Sequence, residues 1–191
     1  DCLLSRGLGD VYKRQEHLHS AVSAGEPLNR EVVEQFKNNF NLTVRDGYGQ
    51  TESTLLIGFL KDTEPRTGSM GKGIPGSFVT IIDDDGNEVP PQTKGNIAVP
   101  LDLPALFKGY YKDEERTKAA SAGDYYVTGD LAHKDEDGYF WFEGRRDDII
   151  ISSGYTIGPF EVEDALTNHP AVKECACLLY TSPSPRDKRQ S

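Results

Sequence analysis

The chain has 191 residues, of which 36% are hydrophobic and 27% charged, with a formal charge of −10 and three cysteines. An acidic balance of this kind is poorly suited to nucleic acid or anionic membrane, whose phosphates attract basic patches. No apolar run approaches the roughly 18 residues that would suggest a membrane span.

Both ends differ in texture from the chain between them. "SRGLGDVYKRQ" (5–15) can be back-translated to a DNA string whose reverse complement, read one base out of frame, encodes "CLLYTSPSPR" (177–186). The shared oligonucleotide resembles the transposase adapters used in preparing sequencing libraries. Residues 1–15 and 177–191 are therefore expected to be adapter-like scars and are set aside from fold reasoning. Outside them the formal charge is −13, from 15 basic and 28 acidic side chains, and Cys175 is the remaining cysteine. A lone cysteine cannot form an intrachain disulfide, so a reducing, cytoplasmic setting is the default expectation.

In chain order, Pro27 to Phe40 predicts a helix with Val32, Val33, Phe36 and Phe40 on one face and Asn29 available as N-cap. "NLTVRDGYGQTES" then reads as a short strand leaving through a glycine-rich turn. From Gly68 onward, "SFVTIIDDDGNEVP", "GNIAVP" and "YYVTGDLAHKDEDGYFWFEGR" are short apolar runs punctuated by Gly, Pro and Asp, the pattern of a β-rich region. Asp85-Gly86 and Asp137-Gly138 mark hairpin turns. Tyr139 and Trp141 should face opposite to Phe140 and Phe142, with both faces covered. Asp113 to Ala120 predicts a short polar helix. A final helix should begin near Pro159 and end before His169-Pro170, with "AVKECA" opening a further strand. No internal repeat is present.

Several stretches invite a functional reading. "GKGIPG" (71–76) fits a dinucleotide-binding fingerprint, but Pro75 interrupts it and a strand, not a helix, should follow, so a Rossmann site is set aside. Asp83, Asp84 and Asp85 read as a solvated hairpin turn, and His17 and His19 have no evident third ligand for zinc. "DGYGQTES" (46–53) is more informative. Its tyrosine ring can stack on a base, Thr51 can donate to a phosphate oxygen, and Glu52 can help hold Mg²⁺, a cation that prefers oxygen ligands. Judged alone, it reads as a polar turn. One hairpin separates "YYVTGD" from "GRRDD": Asp130 could accept from a ribose diol and Arg145 donate to the same sugar. Judged alone, that pair is explained equally well by a salt bridge. Together the stretches supply groups for base, sugar and phosphate, which favours a nucleotide site.

"SAGEPL", "DGYGQTES", "GSMGKGIPG", "YVTGD" and "GRRDDIIISSGYTIGPFEVE", in this order, resemble the adenylate-forming (AMP-dependent) acyl-CoA synthetases. The last of them is most similar to the medium-chain branch. The resemblance implies an α/β fold with a β-rich, distorted-barrel subdomain. Residues 16–146 would be the C-terminal part of the large domain, and residues 147–176 the hinge and the start of a small C-terminal domain. It implies a ligase using ATP, Mg²⁺ and CoA on a small carboxylic acid, with no nucleic acid partner. By the same resemblance Gly25, Glu26 and Pro27 line the adenine, and Asp46, Gly47, Tyr48, Gly49 and Gln50 surround adenine and α-phosphate. Thr51 and Glu52 are the candidate catalytic residues, with Glu52 the Mg²⁺ contact. Asp130 and Arg145 would hold the ribose, Asp147 would be the hinge, and Ser153, Gly154 and Tyr155 would receive CoA.

Thr156 stands where this branch usually carries arginine. The family's phosphate loop and late catalytic lysine are not found, since Lys173 lies in the wrong motif and Lys188 in the second scar. The chain is thus expected to be an internal, inactive fragment in which 27–60 lack partner strands and 159–176 lack a sheet. The alternatives are another adenylating enzyme, such as an aryl-CoA ligase or peptide-synthetase adenylation domain, and a non-catalytic nucleotide-binding module.

Overall fold

The computed structural model describes residues 18–26, 28–146, 150–152, 155–167, 169, 171–172 and 175–177. Strand β1 (Ala21–Val22) pairs in parallel with β2 (Val44–Arg45), and helix α1 (Arg30–Phe40) connects them. The helix starts three residues later than its apolar pattern predicts. The Asn29 side chain accepts from the Glu31 amide at 2.8 Å, and its backbone is extended, so the helix can begin only after it. Asn41 closes the other end with φ of 53°, and its amide donates to Lys37. Of the predicted apolar face Val33 is buried and Phe36 half-buried, while Val32 and Phe40 are exposed.

The main body is an antiparallel sheet built from β3 (Gly47–Gln50), β4 (Thr54–Gly58), β5 (Gly71–Gly73), β6 (Thr80–Ile82), β7 (Gly95–Pro100), β8 (Ser121–Ala122), β9 (Tyr125–Lys134) and β10 (Tyr139–Arg145). Its order is β3-β4-β5-β10-β9-β7-β6, with β8 paired to β9. Among the described residues it is an open sheet ending at β3 and β6. Two expectations change here. "GYGQ" (47–50) is strand β3, and the turn falls on Thr51–Ser53. Glycine permits this, because a Cβ on Gly49 would collide with the Thr54 carbonyl of the neighbouring strand. Residues 54–58 also do not lack partners, since β4 pairs with β5.

The two Asp-Gly turns form as their chemistry requires. Gly86 and Gly138 hold φ of 85° and 84°, and the bonds Asp83 N to Asn87 O and Asp135 N to Tyr139 O close the hairpins. Leu56, Ile57, Ile97, Val99, Tyr126 and Phe140 form the centre of the core, each at most 3% exposed. Both faces of β10 are covered, as its aromatic alternation predicts: Tyr139 and Phe140 are buried, Trp141 and Phe142 half-buried. Helix α2 (Glu114–Ala119) is capped by Asp113, whose side chain accepts from the Arg116 amide.

Beyond the sheet, β11 (Ile150–Ser152) and β12 (Tyr155–Ile157) form an antiparallel pair. Helix α3 (Pro159–Thr167) follows and lies beside β10. The strand expected in "AVKECA" does not form among the described residues. Cys175 and Cys177 instead bond back to Glu163, with the Cys177 amide 2.8 Å from its carboxylate. A strand needs a ladder partner, and none is offered to it among the described residues.

Candidate active site

One cleft of about 630 Å³ opens between β3, the end of β9, the end of β10 and α3. Gly25, Glu26, Asp46, Gly47, Tyr48, Gly49, Gln50, Asp130 and Arg145 all line it. Nine of the residues selected from separate motifs therefore share one wall. Thr51 and Glu52 lie outside the lining, on the turn that follows β3. Pro27, Ser153 and Gly154, and the expected hinge Asp147, fall outside the described residues. Tyr155 is in β12.

The convergence on Asp130 follows from irregular strand pairing. Between Val127 and Leu131 three residues of β9 face a single residue of β7, and β10 carries an extra residue between Phe142 and Gly144. Such bulges bend strands and re-aim side chains. Gly129, with φ of 79°, allows the bend that a Cβ would oppose. Asp130 is thereby turned inward, at 6% exposure, opposite Arg145 in the β10 register.

A buried carboxylate needs donors to offset the loss of water. The Tyr48 hydroxyl donates to Asp130 Oδ2 at 2.6 Å and Gln50 Nε2 to the same oxygen at 2.8 Å. Arg145 Nε lies 3.9 Å from Oδ1. That oxygen faces a partly exposed guanidinium and keeps acceptor capacity for further donors. Burial, followed by the Asp130 charge, raises the Tyr48 phenol far above its ordinary range, so it remains a neutral donor. Burial also raises Asp46, against the lowering effect of hydrogen bonds from the Gly47 and Leu28 amides.

Glu52 is half-buried, and its Oε1 accepts from the Tyr110 hydroxyl at 3.0 Å. Among the described residues no three His, Cys, Asp or Glu side chains gather to form a metal cage. A single carboxylate of this kind fits Mg²⁺, which commonly takes one or two carboxylates and completes its shell with water and phosphate.

Sequence reasoning did not select Tyr110, Tyr126, Thr128, Met70 or Phe142. Met70 and Phe142 line the cleft, and Tyr126 and Thr128 contact Gln50. A signal for two of them was present: Tyr126, Thr128 and Asp130 alternate along one face of β9, and all three are buried.

A cleft of this volume, a buried carboxylate with acceptor capacity left and a flanking guanidinium are features suited to a polar small molecule such as a nucleotide. The chain belongs to the AMP-binding enzyme family, which it matches over residues 3–111. It is 68% identical over 161 residues to an uncharacterized acyl-CoA ligase, YtcI, of Bacillus subtilis (strain 168), covering 84% of this chain and 30% of that protein. It is 47% identical over 171 residues to the mitochondrial acyl-coenzyme A synthetase ACSM5 of Rattus norvegicus, covering 88% of this chain and 29% of the relative. Among solved structures, the anthranilate CoA ligase AuaEII in complex with anthranoyl-AMP superposes with a TM-score of 0.77 at 31% identity, over 91% of this chain and 36% of that one. These agree with the resemblance to adenylate-forming acyl-CoA synthetases drawn from the motifs. The chain spans about 30% of the length of the curated relatives it matches.

Proposed function

We propose that this chain is part of an ATP-dependent acyl-CoA ligase of the medium-chain type. In the first half-reaction a carboxylate oxygen attacks the α-phosphorus of ATP, and the bond to pyrophosphate breaks, giving an acyl-adenylate. In the second the CoA thiol loses its proton and attacks the acyl carbon, and AMP leaves. The observation that carries this reading is the arrangement of Tyr48 and Gln50 on one oxygen of buried Asp130, with Arg145 at the other, inside a cleft of about 630 Å³.

In this reading Asp130 accepts from the ribose hydroxyls and Arg145 donates to the same sugar. Gly25, Glu26 and Pro27 border the adenine, while Asp46 to Gln50 form the floor beneath base and α-phosphate. Thr51, exposed at the turn, donates to a phosphate oxygen, and Glu52 would hold Mg²⁺, which when bound offsets phosphate charge. Residues 16–146 form part of the large domain. Residues 147–176 supply the hinge and the start of the small one, where Ser153, Gly154 and Tyr155 receive CoA. A cytoplasmic setting belongs to the same reading, supported by the cysteine usage and the bacterial relative. An acyl rather than an aryl acid is favoured by the higher identity to acyl-CoA ligases, 68% against 31% for the anthranilate enzyme.

The 191-residue chain alone should bind AMP without completing the reaction. Transferring phosphoryl groups are stabilised by clamps of Arg, Lys and Mg²⁺, and among the described residues Arg145 is the sole Arg or Lys lining the cleft. Equilibrium dialysis with AMP tests the first half of this claim, and carboxylate-dependent pyrophosphate release tests the second. Saturable AMP binding with no pyrophosphate is the expected result. Failure to bind AMP would overturn the site, and sustained pyrophosphate release would overturn the claim of inactivity.

A further inference from the structure

Tyr126 has no part in the scheme above, yet its hydroxyl lies one hydrogen bond from it. The residue is 3% exposed and its hydroxyl donates to Gln50 Oε1 at 3.2 Å. The other end of that amide, Nε2, faces two groups that can only accept: the Thr128 carbonyl at 3.0 Å and Asp130 Oδ2 at 2.8 Å. Reversing the amide would aim its carbonyl oxygen at both of them. The direction of the amide therefore matters to Asp130, and Tyr126 supplies the donor that satisfies the end facing away.

Packing holds that donor in place. The Phe107 ring meets Tyr126 edge-on at 5.5 Å and Tyr110 at 4.9 Å, and the Phe107 amide donates to the Glu52 carbonyl at 2.7 Å. Burial raises the Tyr126 phenol well above its ordinary range, and the neighbouring Tyr110 and Glu52 add to the rise. The hydroxyl thus stays protonated and able to donate.

We propose that Tyr126 is a positioning residue for nucleotide binding: through Gln50 it keeps Asp130 oriented to accept a ribose diol. This rests on the assignment of Asp130 to the ribose. Without the hydroxyl, Gln50 Oε1 is left without its donor and the amide is held at its Nε2 end alone. The Gln50 donation that orients Asp130 is then less firmly aimed.

The test compares AMP with 2′,3′-dideoxy-AMP, which lacks the diol, binding to the 191-residue chain and to its Tyr126→Phe variant by equilibrium dialysis. The original chain should prefer AMP. In the variant AMP affinity should fall by about two- to tenfold, the effect of one neutral hydrogen bond, with the dideoxy ligand unaffected. An equal loss for both ligands, or no loss for either, would overturn the proposal while leaving the Asp130 assignment in place. If the original chain does not distinguish the ligands, the ribose assignment fails and this proposal with it. Should Tyr126→Phe not fold, Phe107→Leu, which removes the ring packed edge-on against Tyr126 and leaves the cleft lining intact, takes its place with the same expected selective loss and the same refuting outcomes.

Discussion

Replacing Asp130 with asparagine keeps the side chain's shape and removes its charge, which separates the binding role from the structural one. In the folded chain one carboxylate oxygen takes the Tyr48 hydroxyl at 2.6 Å and Gln50 Nε2 at 2.8 Å. An asparagine oxygen can take the same two donors, so the network survives. Its NH₂ group must then face the cleft, where Arg145 Nε lies 3.9 Å from the original carboxylate. A diol approaching from that side meets a donor where it needs an acceptor. Hydrogen bonds to charged groups contribute about 1.5–3 kcal/mol, against about 0.5–1.5 for neutral ones. Losing one charged acceptor should therefore cost roughly 2 kcal/mol of AMP binding, about thirtyfold in Kd. Isothermal titration with AMP measures this, and circular dichroism confirms that the fold is retained. An AMP affinity within twofold of the original, in a folded variant, would refute the reasoning.

Gly49→Ala tests the close approach of β3 to β4. A Cβ there would sit 2.7 Å from the Thr54 carbonyl carbon and 2.8 Å from Leu55 Cα, both backbone atoms that cannot swing aside. A loss of about 1–3 kcal/mol in stability, with weakened AMP binding as Tyr48 and Gln50 shift, is expected in thermal melts and dialysis. Unchanged values in both would refute it. Asp135→Asn tests acid sensitivity. Burial would raise the Asp135 pKa, but hydrogen bonds from the Tyr139 amide and Trp141 indole, with the Arg66 charge, bring it below its ordinary value of 3.8. Because the folded value lies below the unfolded one, ionised Asp135 stabilises the fold above pH 3.8, and that contribution is lost as pH falls through the folded pKa. The variant should melt earlier at neutral pH and show a shallower fall in stability below about pH 4; parallel pH curves for the two chains would contradict this.

Local chemistry made much of the fold legible. The turns at Asp85-Gly86 and Asp137-Gly138, the Asn29 cap, the short helix after Asp113 and the alternation across Tyr139 to Phe142 depend on neighbouring residues, and each forms as expected. "DGYGQ" was misread because two glycines suggest a turn, whereas here one of them is required by a strand lying against its neighbour. The "AVKECA" strand is not present among the described residues, since a strand exists only with a partner, and that depends on the rest of the chain. The site was legible mainly through the motifs' likeness to a family. Tyr48 and Asp130 are 82 residues apart, and no periodicity could have paired them. What joins them is the three-dimensional course of the sheet, which brings a β3 side chain to one on β9 although β4, β5 and β10 lie between them in the strand order, and the bulges in the pairing of β9 with both its neighbours. Tyr126 and Thr128 could have been found from the alternation along β9, where both are buried.

The central claim is that this cleft holds an adenylate by its ribose. A crystal structure of the chain soaked with AMP tests it most directly. The account predicts the adenine beside Gly25 and Glu26, over β3, with both ribose hydroxyls within hydrogen-bond distance of Asp130 and Arg145 directed at the same sugar. AMP bound elsewhere, or with its ribose turned away from Asp130, would contradict it.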